Sequence, residues 1–378
     1  MNKAYKYRLY PNKYQIEYLN NCFGCCRFVY NQALKWRILA YQADGTSLNY
    51  NDTAFGLTAL KKQIAWLRDV DSIALQQALR HLDTAYNNFF TSKRSGFPKF
   101  KSKRHSKCSY TTINQGGTIS ISDNGIKLPK IGIIKASIHR LPDPVWILKS
   151  ATVSKERDDT YYVSVLFEYT KPATPVCTGA KAIGLDYKSD GLYVDSNGRT
   201  GSNHKYYRES HKKLAKEQRR LSRKCGSKKD EPKSNNFIKQ CRKVNKIHKH
   251  ISNQRLDNLH KLSTEIANQY DIVCVENLDM KVISNKGFGN GKATLDNGFG
   301  MFLSMLEYKL ADRGKLLVRI DKWFPSSQLC SCCGYRNPLI KDLSIRKWEC
   351  PACHMYHDRD TNAAVNILNE GLRIIATK

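Results

Sequence analysis

Four cysteines near the end of the chain carry the strongest chemical signal. In SSQLCSCCGYRNPLIKDLSIRKWECPACH, Cys330 and Cys333 are spaced Cys-x-x-Cys, and Cys350 and Cys353 repeat that spacing after sixteen residues. Two such turns can aim four thiolates at one point, the tetrahedral sulfur set of a zinc ribbon. Gly334 suits the first turn, and Cys332, lying between two ligands, is left as a bystander. A closed four-thiolate shell has no open coordination position, so this Zn²⁺ is expected to hold structure and not to perform chemistry. The alternative is four reduced, buried cysteines. Another Cys-x-x-Cys, Cys22 to Cys25, has no matching pair nearby and reads as core on a helix face with Phe28, Val29 and Leu34.

Three carboxylates form the second signal. KAIGLDYKSDGLYVDSNGR is a short apolar strand ending at Asp186, followed by a second strand that turns at Asn197-Gly198. QYDIVCVENLDM supplies a strand ending at Glu276, and KLLVRID supplies another. HDRDTNAAVNILNEGLRII places Asp360 just ahead of a helix beginning near Thr361, with Ala364, Ile367, Leu368 and Leu372 on one face. Strand ends of an α/β sheet cluster, and a helix amino terminus can point across them, so the three acids can converge although 90 and 84 residues separate them. Clustered carboxylates raise one another's pKa unless a hard divalent cation compensates them, and oxygen-only ligands with open water positions suit Mg²⁺ or Mn²⁺. Two such ions about 4 Å apart serve phosphodiester hydrolysis. Taken singly, each acid is also an ordinary turn residue. His357 is open between touching a scissile phosphate and stabilising a turn, and Asn362 between capping its helix and orienting Asp360.

The elements that must position these groups divide the chain. Its 378 residues are comfortable for two or three domains. Residues 1 to 12 alternate, with Tyr5, Tyr7 and Leu9 on one side and Lys6 and Arg8 on the other, until Pro11 and Asn12 stop the strand. From about 13 to 91 the spacing becomes helical, as at Ala74, Ala78, Leu82, Ala85 and Phe89. SKRSGFPKFKSKRHSK then interleaves cations with Phe97 and Phe100, which fits a solvated linker or a nucleic-acid backbone clamp. From about 109 to 170 the pattern is β again, with a hairpin turn at Asp123-Asn124-Gly125, so a strand-rich domain holds a helical insertion. KPATPVCTG reads as a linker, and residues 203 to 267 as a basic helical hairpin interrupted by KCGSKKDEPKSNN.

Charge points to a polyanion. Lysine plus arginine number 63 against 33 acids, a net +30. Between 203 and 250 there are seventeen cations and four acids, more than intrahelical pairs can balance. Nucleic acid fits this excess best; no stretch of about 18 apolar residues offers a membrane span, and the amino terminus has no signal-like apolar run, so a cytosolic protein is expected.

The segments GLDYKSDGLYVDSNG, VCVENLDM, SSQLCSCCG, WECPAC and HDRDTNAAVNIL, in that order, closely resemble the TnpB proteins of insertion sequences, RNA-guided nucleases related to type V CRISPR effectors; YKYRLYPN, CRFVYNQAL and GFPKFKSKR extend the resemblance over nearly the whole chain. The resemblance implies a multidomain α+β protein: a β-barrel-like wedge domain (1–12 and 106–175) interrupted by a helical recognition insertion (13–105). After it would come a RuvC-like RNase H fold of α/β type (180–325 and 357–378), carrying the hairpin 203–267 and interrupted by the zinc ribbon at 326–356. It implies that Asp186, Glu276 and Asp360 bind catalytic Mg²⁺ (or Mn²⁺), that Cys330, Cys333, Cys350 and Cys353 bind Zn²⁺, and that the partners are a guide RNA from the transposon end and a double-stranded DNA target. Nucleic-acid contacts are expected at Lys6, Arg8, Arg27, Tyr30, Asn31, Lys99, Lys101, Lys103, Arg104, Arg219, Arg220 and Arg223. A monomer with one RNA is expected, in the cytoplasm of a prokaryote and associated with the nucleoid. Two rivals are weighed. A DDE transposase orders its acids Asp, Asp, Glu, whereas here glutamate is in the middle on a strand. An RNA-guided repressor would lose one or more of the acids, and all three are present.

Overall fold

Alternation in the first residues builds the sheet on which the first half of the chain rests. In the computed structural model, which describes residues 1–92, 95–170, 180–202, 204–225, 234–284 and 291–377, strand β1 spans Asn2–Leu9 and buries Tyr5, Tyr7 and Leu9. The linker at 171–179 and most of the hairpin interruption lie outside the described residues. The chain forms two units, Met1–Thr170 and Lys171–Lys378.

In the first unit, helix α1 (Lys13–Asp44) begins because Asn12 and Gln15 form a reciprocal capping box, and it stops at Gly45, whose left-handed φ of 76° only glycine adopts freely. Helices α2 (Tyr50–Gln63) and α3 (Ser72–Thr91) follow; α3 is capped by Asp71 and buries Ala74, Leu75, Ala78, Leu79 and Leu82. The strands are β2 (Cys108–Ile113), β3 (Ser120–Ser122), β4 (Gly125–Leu128), β5 (Gly132–Ile134), β6 (Ala136–Ser137), β7 (Ile147–Lys155) and β8 (Tyr161–Glu168). They form an antiparallel sheet ordered β2-β7-β8-β1-β6 and a three-stranded sheet β3-β4-β5. The strand partners that residues 1–12 require are therefore β8 and β6, from the far side of the helices. Edge strands β2 and β6 share no ladder among the described residues, so hydrogen bonding leaves this sheet open where a barrel-like form is expected from the resemblance.

The second unit is built on a mixed sheet ordered β10-β9-β11-β12, from β9 (Ala182–Tyr187), β10 (Tyr193–Asp195), β11 (Ile272–Glu276) and β12 (Leu316–Ile320). Strands β9, β11 and β12 run parallel and β10 is antiparallel to β9. The helices are α4 (Tyr206–Arg223), α5 (Asn235–Gln269), α6 (Met280–Ile283), α7 (Gly291–Asn297), α8 (Phe299–Ala311) and α9 (Arg359–Ala376). Side chains alternate across the strands. Ile183, Leu185, Val273 and Val275 pack with Leu259 and Ile266 of α5 and Phe302 and Leu306 of α8, while Cys274 and Ile320 meet Ile367 of α9 on the other face. Two glycines let α9 lie close: a Cβ on Gly184 would come 2.1 Å from the Ala364 carbonyl, and one on Gly371 would come 2.3 Å from Cys274 Sγ. Between β12 and α9, β13 (Lys347–Glu349) and β14 (Tyr356–Asp358) pair as an antiparallel ribbon.

Candidate active site and four-cysteine ribbon

The parallel register of β9 and β11 brings two of the acids together. Residues 182 to 185 pair with 272 to 275 at a constant offset. Carried one residue further, the same offset sets Glu276 alongside Asp186, on strands about 4.8 Å apart. Both point to the face covered by α9, because they share parity with Gly184 and Cys274. Asp360 joins them from the first turn of α9, where Asp358 is the cap: its Oδ1 accepts from Thr361 N at 3.0 Å. All three line one cleft of about 890 Å³.

The electrostatics of this cleft are those of crowded acids. Burial first, then the neighbouring Glu276 and Asp360, push the Asp186 carboxyl well above its usual range. Burial also raises Glu276, opposed by Ser326 Oγ, which donates to Glu276 Oε1 at 2.8 Å. Asp360 is compensated by cations, Lys188 Nζ at 3.2 Å and Arg346 at 3.6 Å. Asn297 donates to the carbonyls of Lys188 and Ser189 and so holds the Lys188 loop. A half-buried, oxygen-only donor set in which burial raises two of the carboxyls suits a hard divalent ion and not a soft one.

The four cysteines come together without any pairing between neighbours in sequence. Cys330 and Cys353 sulfurs lie 3.6 Å apart, as do those of Cys333 and Cys350, and all four ligand atoms fall within 4.8 Å of one another. They are the metal-sized group of His, Cys, Asp and Glu side chains among the described residues. Each knuckle closes in the same way: Gly334 N donates to Cys330 O and His354 N to Cys350 O, both at 2.9 Å, with left-handed backbones of 77° and 55°. Cys332 is exposed and outside the group.

His357 and Asn362, left open by the sequence, both serve the ribbon. His357 is buried, its Nε2 is 3.1 Å from Cys330 Sγ and its ring packs 4.8 Å from Trp348, so it does not face the cleft. Asn362 neither caps α9 nor holds Asp360; its Oδ1 accepts from Ser331 N at 2.9 Å and its Nδ2 donates to Leu329 O at 2.7 Å. One turn on, Asn366 donates to Ser326 O and Leu329 O at 2.8 and 2.7 Å. The first knuckle is thus tied to the helix that carries Asp360 and, through Ser326, to Glu276. No single-residue pattern announces this strut; an asparagine pair one turn apart on a buried helix face is the signal available. Replacing Asn366 with alanine strips the Ser326 carbonyl of its partner, and chemical denaturation of the zinc-loaded protein should show a loss of about 1–3 kcal/mol.

The expected nucleic-acid residues fall into four groups. Lys6 and Arg8 lie on the face of β1 away from the core; Lys6 pairs with Glu156 at 3.1 Å and sits over the Tyr162 ring. Arg27 and Lys103 line a cleft of about 660 Å³ with Lys155, and Lys99 and Arg104 are exposed nearby in sequence. Tyr30, Asn31 and Lys101 form a group of their own. Tyr30 is buried with Lys101 Nζ 3.6 Å above its ring, and the Asn31 amide makes two hydrogen bonds to the Lys101 backbone, so they hold the basic segment in place. Arg219, Arg220 and Arg223 are exposed on α4, with Arg220 paired to Glu217 at 2.7 Å.

Sheet, cleft and ribbon define a mixed α/β protein of the fold seen in a Cas12f1–sgRNA–target DNA complex, a solved structure that is 14% identical with a TM-score of 0.57 over 94% of this chain and 83% of that one. Three family models match: a Cas12f1-like TNB domain at 299–367, a helix-turn-helix domain at 1–46 and a "probable transposase" at 154–286. A Streptomyces pristinaespiralis protein named as an RNA-guided DNA endonuclease is 38% identical over 98% of this chain and 90% of its own length. InsQ of Escherichia coli K12, similarly named, is 31% identical over 99% and 93%. The chain belongs to the TnpB family.

Proposed function

We propose that this protein is an RNA-guided DNA endonuclease with a RuvC-type catalytic centre. The observation that carries the reading is the cleft itself, which Asp186 and Glu276 on neighbouring parallel strands and Asp360 at the start of α9 all line. The mixed sheet with α9 on one face and α5 and α8 on the other supports an RNase H-type fold for 180–325 and 357–378. Asp186, Glu276 and Asp360 would hold Mg²⁺ or Mn²⁺, which supplies Lewis-acid activation of water and charge stabilisation of the departing phosphodiester oxygen. The protein's own part is to hold Lys188 and Arg346 beside Asp360, to fix Glu276 through Ser326, and to aim Asp360 by the Asp358 cap. Cys330, Cys333, Cys350 and Cys353 would hold a structural Zn²⁺, with His357 donating to the Cys330 thiolate.

The relatives' names and the Cas12f1 complex supply the partners: a guide RNA from the transposon end and a double-stranded DNA target, the sequence being read by base pairing and the heteroduplex held by shape and charge. The strand-rich 1–12 and 106–175 would form the wedge and 13–105 the recognition insertion, with one chain per RNA. Among the described residues no helix is long and apolar enough to cross a membrane; work on DNA would place the protein in the prokaryotic cytoplasm at the nucleoid. The test is cleavage of a plasmid library with a randomised flank beside a matched target, using protein co-expressed with its native downstream RNA in Mg²⁺. Guide-dependent double-strand breaks next to one short flanking sequence are expected. Binding without cutting would replace this reading with that of a repressor, and cutting that ignores the guide would sink it.

A further inference from the structure

Two adjacent aromatic residues after β12 have opposite fates. Phe324 packs into the cluster of Cys274, Ile320 and Ile367 beneath α9, whereas Trp323 is 80% exposed on the rim of the acid-lined cleft. This exposure is imposed by a fixed turn. Asp321 Oδ1 accepts from Trp323 N at 2.7 Å, Phe324 N donates to Asp321 O at 3.2 Å, and Ser326 N donates to Phe324 O at 2.8 Å. The half-buried Phe324 ring packed on one side and the Asn366 bond to Ser326 on the other leave the segment little freedom to fold the indole inward. Lys322 Nζ stands 4.8 Å from the indole centroid, and both residues line the cleft with the three acids.

An indole held in water forgoes the transfer free energy that burial would yield. A flat apolar face beside a cation matches a nucleobase and its phosphate. Inside a duplex both faces of a base are already covered, so the match is to an unstacked base. We propose that Trp323 is a stacking platform for an unpaired nucleobase of the DNA strand entering the cleft, with Lys322 on the neighbouring phosphate. This rests on the nuclease reading of the same cleft, and it makes single-stranded DNA the form admitted there.

The test uses the full chain with its co-purified RNA. Tryptophan emission is followed while a short single-stranded oligodeoxynucleotide is added in buffer without divalent ions, for the wild type and Trp323→Phe. The difference isolates Trp323 among the five tryptophans; it should show saturable quenching by the single strand and little by a duplex of equal length. In Mg²⁺, Trp323→Ala should raise KM for a single-stranded substrate roughly tenfold, with kcat changed by no more than a few-fold, and Trp323→Phe should restore most of it. Because the side chain is exposed, both variants should melt with the wild type. Equal quenching in wild type and Trp323→Phe, or equal quenching by the duplex, overturns the proposal, as does an unchanged KM in Trp323→Ala; the last two would fit an indole kept for a protein partner. A wild type that binds the strand with quenching but never cuts it would sink the nuclease reading and leave the stacking site standing.

Discussion

Asp186→Ala should lower guide-dependent DNA cleavage by about 1000-fold while leaving target binding within a few-fold of the wild type. Burial and both other acids raise Asp186, and in the proposed function several kcal/mol of transition-state charge stabilisation would rest on the cations these carboxylates would hold, each 1.4 kcal/mol being tenfold in rate. In the proposed function the target is read by base pairing with the guide, which needs none of the three acids. Rates from single-turnover plasmid cleavage, beside binding measured by filter retention, decide the matter; residual cleavage within tenfold of wild type would remove Asp186 from the chemistry. The same cluster has a cost in stability whose sign follows from its raised pKa. A carboxyl that holds its proton more tightly folded than unfolded favours the fold while protonated, and its contribution declines as pH rises from the unfolded value of about 4 through the higher folded one. In buffer without divalent ions, Asp186→Asn should therefore melt above the wild type at neutral pH, and the gap should close toward pH 4. Mg²⁺ should raise the melting temperature of the wild type more than that of the variant.

Loss of the zinc site should be damaging too, though less so and by a different route. The ribbon's own core is Ile340 and Trp348 packed with Cys330 and Cys350, far too little to stand alone. Structural zinc contributes about 10–16 kcal/mol in isolated fingers, so Cys350→Ser should release the metal and unfold 326–356. The strut then transmits the damage: Ser331 and Leu329 leave Asn362, Ser326 loses its place under Asn366, and Glu276 loses the Ser326 hydroxyl. Cleavage should fall about 10–100-fold, the range typical of lost outer-shell support. Metal content by mass spectrometry, limited proteolysis and cleavage rate provide three readouts. Retention of one zinc per chain, or full cleavage by a zinc-free ribbon, would contradict this account.

The sequence alone determined whatever depends on neighbours along the chain. The alternation of Tyr5, Tyr7 and Leu9 marks β1, because side-chain parity decides which face of a strand is dry. Pro11 and Asn12 mark the end of that strand, and the reason is again local: Asn12 caps α1 through the backbone of Gln15, three residues on. The two Cys-x-x-Cys pairs are legible for the same reason, each being a single turn of backbone. The acids could be nominated from their places at element ends, but their meeting was decided by tertiary structure. The β9–β11 register sets Glu276 beside Asp186, and α9 reaches them because Gly184 and Gly371 leave no side chain between helix and sheet. Tertiary packing alone also decided the partners of single polar groups: Lys188 and Arg346 on Asp360, His357 on Cys330, Asn362 on the first knuckle, Tyr30 and Asn31 on Lys101. Periodicity tells which face of an element is buried. It cannot tell which atom of a distant segment that face will meet, because that is settled only when whole helices and sheets dock.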